Sequence, residues 1–235
     1  MPDFLIEFRL QGYAKKYARN LIYDVARKFN VKGVTRQRAV PHISLYGTAS
    51  TNDLRKVISE VEKVGNKYKL VPFKIKGFSY FSEPKKVLYL DIDPSPELKE
   101  LRQELATRLS NISTSSKPFD RESEFNFHST IAFQDIDSKF NQIWSYIKQK
   151  EKPNISQHLL RITILGKGSK ILYEYDLVLG RLLNRRQALS HYWWRRTINR
   201  FRELQKIRER EKQSLPARIF SRLLRYLSPS RKRTD

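Results

Sequence analysis

The chain of 235 residues contains no cysteine, which excludes disulfides, thiolate metal ligands and a cysteine nucleophile, and which fits a reducing compartment. It has no apolar run approaching the ~18 residues that a membrane-spanning helix needs. Its first residues, Met1-Pro2-Asp3-Phe4-Leu5-Ile6-Glu7-Phe8-Arg9, carry charges of both signs inside the apolar stretch and do not read as a secretory signal. A cytoplasmic protein is expected. Histidine is scarce, with four residues, and acidic side chains are outnumbered, 24 Asp+Glu against 47 Lys+Arg, for a net charge of +23. A surface that basic attracts polyanions, nucleic acid first among them. The 39% hydrophobic content is enough for a buried core and argues against a disordered chain.

The order of elements is legible from periodicity. Phe4 to Phe8 reads as a strand, and Tyr13 to Phe29 as a helix with Ala14, Ala18, Leu21, Ile22 and Val25 at three- and four-residue steps. A strand follows over 39–46, then a helix capped within Thr51-Asn52-Asp53, then a hairpin of Phe73 to Phe78 and Val87 to Ile92. The pattern then restarts: a helix over 96–109, a strand over 126–133, a helix beginning near Asp135 or Asp137, and a hairpin of Leu159 to Leu165 with Ile171 to Leu179. The spacing repeats as well. Phe73 lies 31 residues after His42 and Leu159 lies 31 residues after His128, while Val87 and Ile171 follow by 45 and 43. This duplication predicts an α+β fold of two pseudo-twofold lobes, with antiparallel sheets facing a central cleft.

Both repeats carry the same short motif. His42-Ile43-Ser44-Leu45 and His128-Ser129-Thr130-Ile131 have the form His-x-(Ser/Thr)-apolar, whereas neither His158 nor His191 has a hydroxyl residue two positions on. On a strand, His and hydroxyl share one face about 7 Å apart. Hydrolysis of a phosphodiester needs a base to take a proton from water and an acid to protonate the leaving oxygen. Imidazole, titrating near ~6.5, serves for either, and hydroxyls can donate to the non-bridging oxygens. His42 and His128 are the candidate catalytic pair. Ser44 and Thr130 are candidate substrate contacts, as are Arg36 and Arg38 upstream of the first motif and Tyr46 beyond it, which is placed to stack on a base. Phe127, next to His128, points to the opposite face and belongs to the core. Asp91 and Asp93 find no third metal ligand, so neither a metal nor any other cofactor is expected.

On these motifs the chain resembles the two-histidine (2H) phosphoesterases, which include the 2'-5' RNA ligase-like proteins and the RNA 2',3'-cyclic phosphodiesterases. The resemblance covers residues 1–180. It implies a bilobal fold in which His42 is the acid toward the leaving 3' oxygen and His128 the base toward water, giving a 2'-phosphomonoester, with reversal as 2'-5' ligation. Where many bacterial and archaeal members follow the first motif with a basic residue and Phe-Leu-Gly, this chain has Tyr46-Gly47-Thr48. Other branches of the superfamily act on other cyclic phosphates or on 2'-5' oligonucleotides. The rival reading is a non-catalytic RNA-binding protein on the same fold.

Residues 181–235 stand apart in composition, with 17 Lys+Arg against 4 Asp+Glu. A helix is predicted from Arg181 to about Gln213, bearing Tyr192-Trp193-Trp194, then an amphipathic stretch over 215–227 and a disordered basic end over 228–233. Three roles compete: an RNA-binding arm, an interfacial helix on an anionic membrane, and a helix docked on the core or on a partner. RNA with a cyclic phosphate end is the expected partner of the whole protein. Its oligomeric state is not encoded in any motif.

Overall fold

The computed structural model describes residues 1–36, 38–115, 120 and 125–227, with side chains described as far as 211. The elements in chain order are β1 (Asp3–Arg9), α1 (Gly12–Phe29), β2 (His42–Ser50), α2 (Leu54–Gly65), β3 (Val71–Phe81), β4 (Val87–Pro94), α3 (Pro96–Ser110), β5 (Thr114–Ser115), β6 (His128–Phe133), α4 (Phe140–Lys148), β7 (Ile155–Leu159), β8 (Arg161–Gly166), β9 (Lys170–Asp176), β10 (Arg181–Asn184), α5 (Arg185–Ala188) and α6 (His191–Leu227). No helix among the described residues is long and apolar enough to cross a membrane.

Local chemistry sets the helix ends. Asp53 caps α2 by accepting from the amides of Arg55 and Lys56, and Ser95 caps α3 ahead of Pro96, whose missing N–H is harmless in the first turn. Helix α1 stops where Asn30 adopts a left-handed φ of 48°. The apolar stripe of α1, namely Ala14, Ala18, Leu21, Ile22 and Val25, is buried as its spacing predicts.

Two antiparallel sheets form the frame, in the orders β10-β9-β8-β1-β2-β5 and β6-β4-β3-β7. The α+β fold with two facing sheets is therefore as the sequence predicts, but the sequence halves are not the lobes. The first hairpin, β3-β4, joins the sheet of the second histidine strand, with β4 paired to β6. The second hairpin, β8-β9, joins the sheet of the first, with β8 paired to β1. Each half of the chain thus lends its hairpin to the other's sheet. Repeat spacing cannot show this exchange, because it records the order of elements along the chain and says nothing of which strands pair.

A second correction concerns the expected boundary at 180. Residues Arg181–Asn184 are strand β10, paired with β9 from Arg181↔Asp176 to Asn184↔Tyr173. Leu183 on this strand is fully buried. The first residues of the basic extension therefore complete the larger sheet. Helix α6 begins at His191 after the short turn α5, which is capped reciprocally by Asn184 and Gln187. It runs on as one helix to Leu227, through the stretch that the sequence sets apart. The side chains of 212–227, and the whole of the basic end over 228–235, lie outside the described residues.

Candidate active site

Strands β2 and β6 bring the two motifs together. His42, His128 and Thr130 line one cavity of about 230 Å³, whose remaining wall is mostly aliphatic, including Val34, Val40 and Val87. The two histidines are held in the same way. The Nδ1 atom of His42 lies 2.8 Å from the carbonyl of Val40, and that of His128 lies 2.9 Å from the carbonyl of Asn126, each two residues upstream. A carbonyl can only accept, so Nδ1 carries a proton in both rings and Nε2 is the nitrogen that can take or give one.

The strands share a second feature. Along β1-β2 the register passes from Ile6↔Tyr46 to Glu7↔Ser44, so Leu45 is an extra residue on β2. Along β4-β6 it passes from Leu88↔Ala132 to Tyr89↔Thr130, so Ile131 is extra on β6. Both motifs therefore end in a bulge one residue after the hydroxyl. A bulge reverses the facing of the residues beyond it. The expected placement of Tyr46 on the face of His42 and Ser44 fails for this reason. Tyr46 is 1% exposed, stacks on Phe4 with centroids 6.1 Å apart, and has its hydroxyl 3.1 Å from Ser113 Oγ. It is a core residue and not a base-stacking one. Phe127 is buried, as expected.

Ser44 sits two residues beyond His42 on the same strand face but is not part of the cavity lining. Arg36 and Arg38 are exposed on the loop leading into β2, and neither lines the cavity. This loop is fastened by Asp135, which accepts from the amides of Lys32 (2.6 Å) and Gly33 (3.0 Å). Burial alone would raise the Asp135 carboxyl, but these two amides outweigh it and, with the charge of Arg36, hold it below the usual range.

One neighbour of His42 is absent from the sequence reading. Glu7, 2% exposed, is the cross-strand neighbour of Ser44 and places Oε2 3.8 Å from His42 Nε2 while its Oε1 accepts from Arg9 at 2.7 Å. An ion pair forms across that gap when the ring is protonated. The signal was present as a charged residue alternating with Phe4, Ile6 and Phe8 on a strand. Phe81 and Tyr89 pack on His128, with centroids 5.0 and 5.1 Å away.

Helix α6 packs further along the same sheet faces. Directly opposed residues share a face, so Ser44, Glu7, Thr163 and Glu174 form one row across the larger sheet, with Arg161 and Asp176 two positions along on the same face. Arg161 is buried there. It donates to Asp176 (3.0 Å), to Glu174 (3.1 Å) and to Thr197 of α6 (2.6 Å), and it stacks under Trp194 at 5.0 Å. In the smaller sheet His128, Asp91 and Asp93, then Lys74, Ser156 and His158, follow one face by the same rule. His158 meets Phe201 of α6 at 5.1 Å. One helix thus touches the histidine-bearing face of both sheets. Trp194 and Thr197 belong to the core assembly, which agrees with the docked-helix reading for the first turns of α6.

The sequence profile of the 2'-5' RNA ligase superfamily matches residues 18–168. No curated protein matches the chain. Among solved structures, TT0787 of Thermus thermophilus superposes with a TM-score of 0.52 at 12% identity, covering 75% of this chain and 98% of that one. Escherichia coli LigT complexed with NADP+ gives 0.47 at 14% identity, covering 78% and 94%. Kluyveromyces marxianus Usb1 with uridine monophosphate gives 0.43 at 14%, covering 72% and 95%. With more than half its length inside the family profile and paired His-x-(Ser/Thr) strands meeting at one cavity, the chain belongs to the 2'-5' RNA ligase superfamily.

Proposed function

We propose that this protein is an RNA 2',3'-cyclic phosphodiesterase that works without a metal. The observation that carries this reading is the pair of histidines on matched strands, each pinned at Nδ1 and each lining the same cavity. In the reaction His128 takes a proton from water, the oxygen of that water bonds to phosphorus, the bond from phosphorus to O3' breaks, and His42 gives its proton to O3'. A 2'-phosphomonoester results. Ser44 and Thr130 donate to the non-bridging oxygens, where charge accumulates. Glu7 Oε2, 3.8 Å from His42 Nε2, is placed to orient that ring toward the leaving oxygen. The exposed arginines of α6, among them Arg195, Arg196 and Arg200, extend the basic surface from the site and serve as an arm for longer RNA. Such a cysteine-free protein suits the cytoplasm.

The test is turnover of an RNA oligonucleotide with a 2',3'-cyclic phosphate end in excess EDTA, with the product identified as the 2'- or 3'-phosphate. Release of the 2'-phosphomonoester at an undiminished rate is expected. Tight binding without turnover would show a binding protein on this fold. Activity lost in EDTA and restored by a divalent ion would refute the metal-free mechanism.

A further inference from the structure

Beside His42 lies a second concentration of charge. Arg9 is the cross-strand neighbour of His42, and the amide of Leu10 donates to the carbonyl of Pro41 at 3.0 Å, which sets the start of α1 against the loop that carries Arg38. Lys15 and Arg19 follow one turn apart on α1. With Lys16, Asn20 and Tyr23 they line a hollow of about 300 Å³. The cations are close enough to act on one another. Partial burial, and then the charges of Arg19, Arg38 and Arg9, hold the Lys15 ammonium below the usual lysine range.

The cluster is short of anions. Arg9 has Glu7, but among the described residues Lys15, Arg19 and Arg38 form no salt bridge. The guanidinium of Arg19 lies 5.8 Å from the Tyr23 ring centroid, and its Nε is buried without a hydrogen-bond partner. Gathered like charges cost folding energy until an anion neutralises them, and guanidinium forks match phosphate oxygens in pairs. We infer that Arg9, Lys15, Arg19 and Arg38 form a second anion site, which takes an internal phosphodiester of the RNA strand whose end occupies the histidine cavity. The inference rests on the reading of the histidine cavity as the place of the RNA end, and it adds a requirement: substrates with at least one internal phosphate bind better than a mononucleotide.

The test is binding, measured by titration calorimetry on the full chain with probes that cannot be turned over: uridine 3'-monophosphate and a trinucleotide ending in a 3'-phosphate. Lys15→Ala/Arg38→Ala removes two exposed cations and leaves Arg9 with Glu7 and Arg19 with Tyr23. This double variant is expected to bind the trinucleotide about 10-fold more weakly, with a salt slope shallower by about 1–2, while the mononucleotide affinity stays within about twofold of wild type. The charge-preserving pair Lys15→Arg/Arg38→Lys should keep most of the trinucleotide affinity, which separates lost charge from lost fold. Unchanged trinucleotide affinity in the alanine variant, or an equal loss for both probes, overturns the inference. Inorganic phosphate is the third probe. If its binding falls in the variant while that of the trinucleotide does not, the cluster serves a free anion and the polynucleotide assignment is wrong. A protein that turns over no cyclic phosphate yet shows the cluster-dependent difference would refute the hydrolase reading alone.

Discussion

Two side chains of one chemistry are delivered to one cavity by matched strands. His42 and His128 share the same backbone anchor and the same bulge beyond the motif, so their rings are delivered as a pair. Across the strand His42 meets the Glu7 carboxylate, and Phe81 and Tyr89 pack on the ring of His128. Replacing either histidine by alanine is expected to lower turnover at least ~100-fold, with the double variant little worse than either single one, because acid and base act in one step. Ser44→Ala and Thr130→Val remove a phosphate hydrogen bond and no proton carrier, so each should cost less, on the order of 10-fold. Steady-state kinetics on a cyclic-phosphate dinucleotide decides this; near wild-type turnover in either histidine variant would sink the two-histidine mechanism. That His42 shares a face with Ser44, and His128 with Thr130, could be read from the sequence, because strand geometry alone puts positions two apart on one face. Tyr46 could not, because the bulge at Leu45 depends on how β1 and β2 pair. Nor could Glu7, since its role arises only when β1 lies beside β2.

At the scale of elements, α6 is where sequence reasoning reached least far. Its charge marked it as separate, yet its first turns are tied into both sheets through Thr197, Trp194 and Phe201. Composition reports what a helix can attract and is silent on the buried acceptors awaiting it. At the Arg161 cluster Thr197 accepts from Arg161 and donates to Asp176, and a hydrogen bond to a charged group typically contributes about 1.5–3 kcal/mol. The contact with the smaller sheet carries a pH dependence. Burial first, and the charge of Arg208 second, lower the His158 imidazole below its ordinary value. The native state therefore holds fewer protons at this position than the unfolded chain, whose histidine titrates near ~6.5. Stability from this residue is full at pH above that value and falls as pH drops through it toward the lowered native value. His158→Gln should show a smaller loss of Tm than wild type between pH 7.5 and pH 5, by about 2–4 °C per kcal/mol of linkage. Equal losses in the two proteins would show that His158 does not anchor the helix.

The whole molecule is knitted by exchange. Because β3-β4 lies in the sheet of β6 and β8-β9 in the sheet of β1, neither half of the sequence can fold as a separate lobe. The order and type of elements were readable from periodicity, since that information is local. Their pairing was not, since strand partners far apart in sequence leave no local trace. The same reasoning governs truncation. A chain ending after Gly180 loses β10, the buried Leu183 and the Thr197 and Trp194 partners of Arg161, so it is expected to unfold or aggregate. A chain ending after Gln213 keeps all of these and should melt within a few degrees of the full protein, while binding long RNA more weakly and with a shallower salt dependence. Thermal melts and RNA titrations of the two chains check both statements; a cooperative, active protein ending at 180 would contradict the docking of α6.

The pairing of Leu5 with Leu165 has a further consequence for the chain as it is made. Synthesis proceeds at roughly 5–20 residues per second, so on the order of ten seconds separate the emergence of β1 from that of its partner β8. During that interval one edge of an apolar strand stands open to any other nascent chain. Glu7 and Arg9, which end the run at alternate positions on the face of His42, interrupt it with charges that a stray partner strand would have to desolvate. The residues that furnish the site thus guard the strand before the site exists.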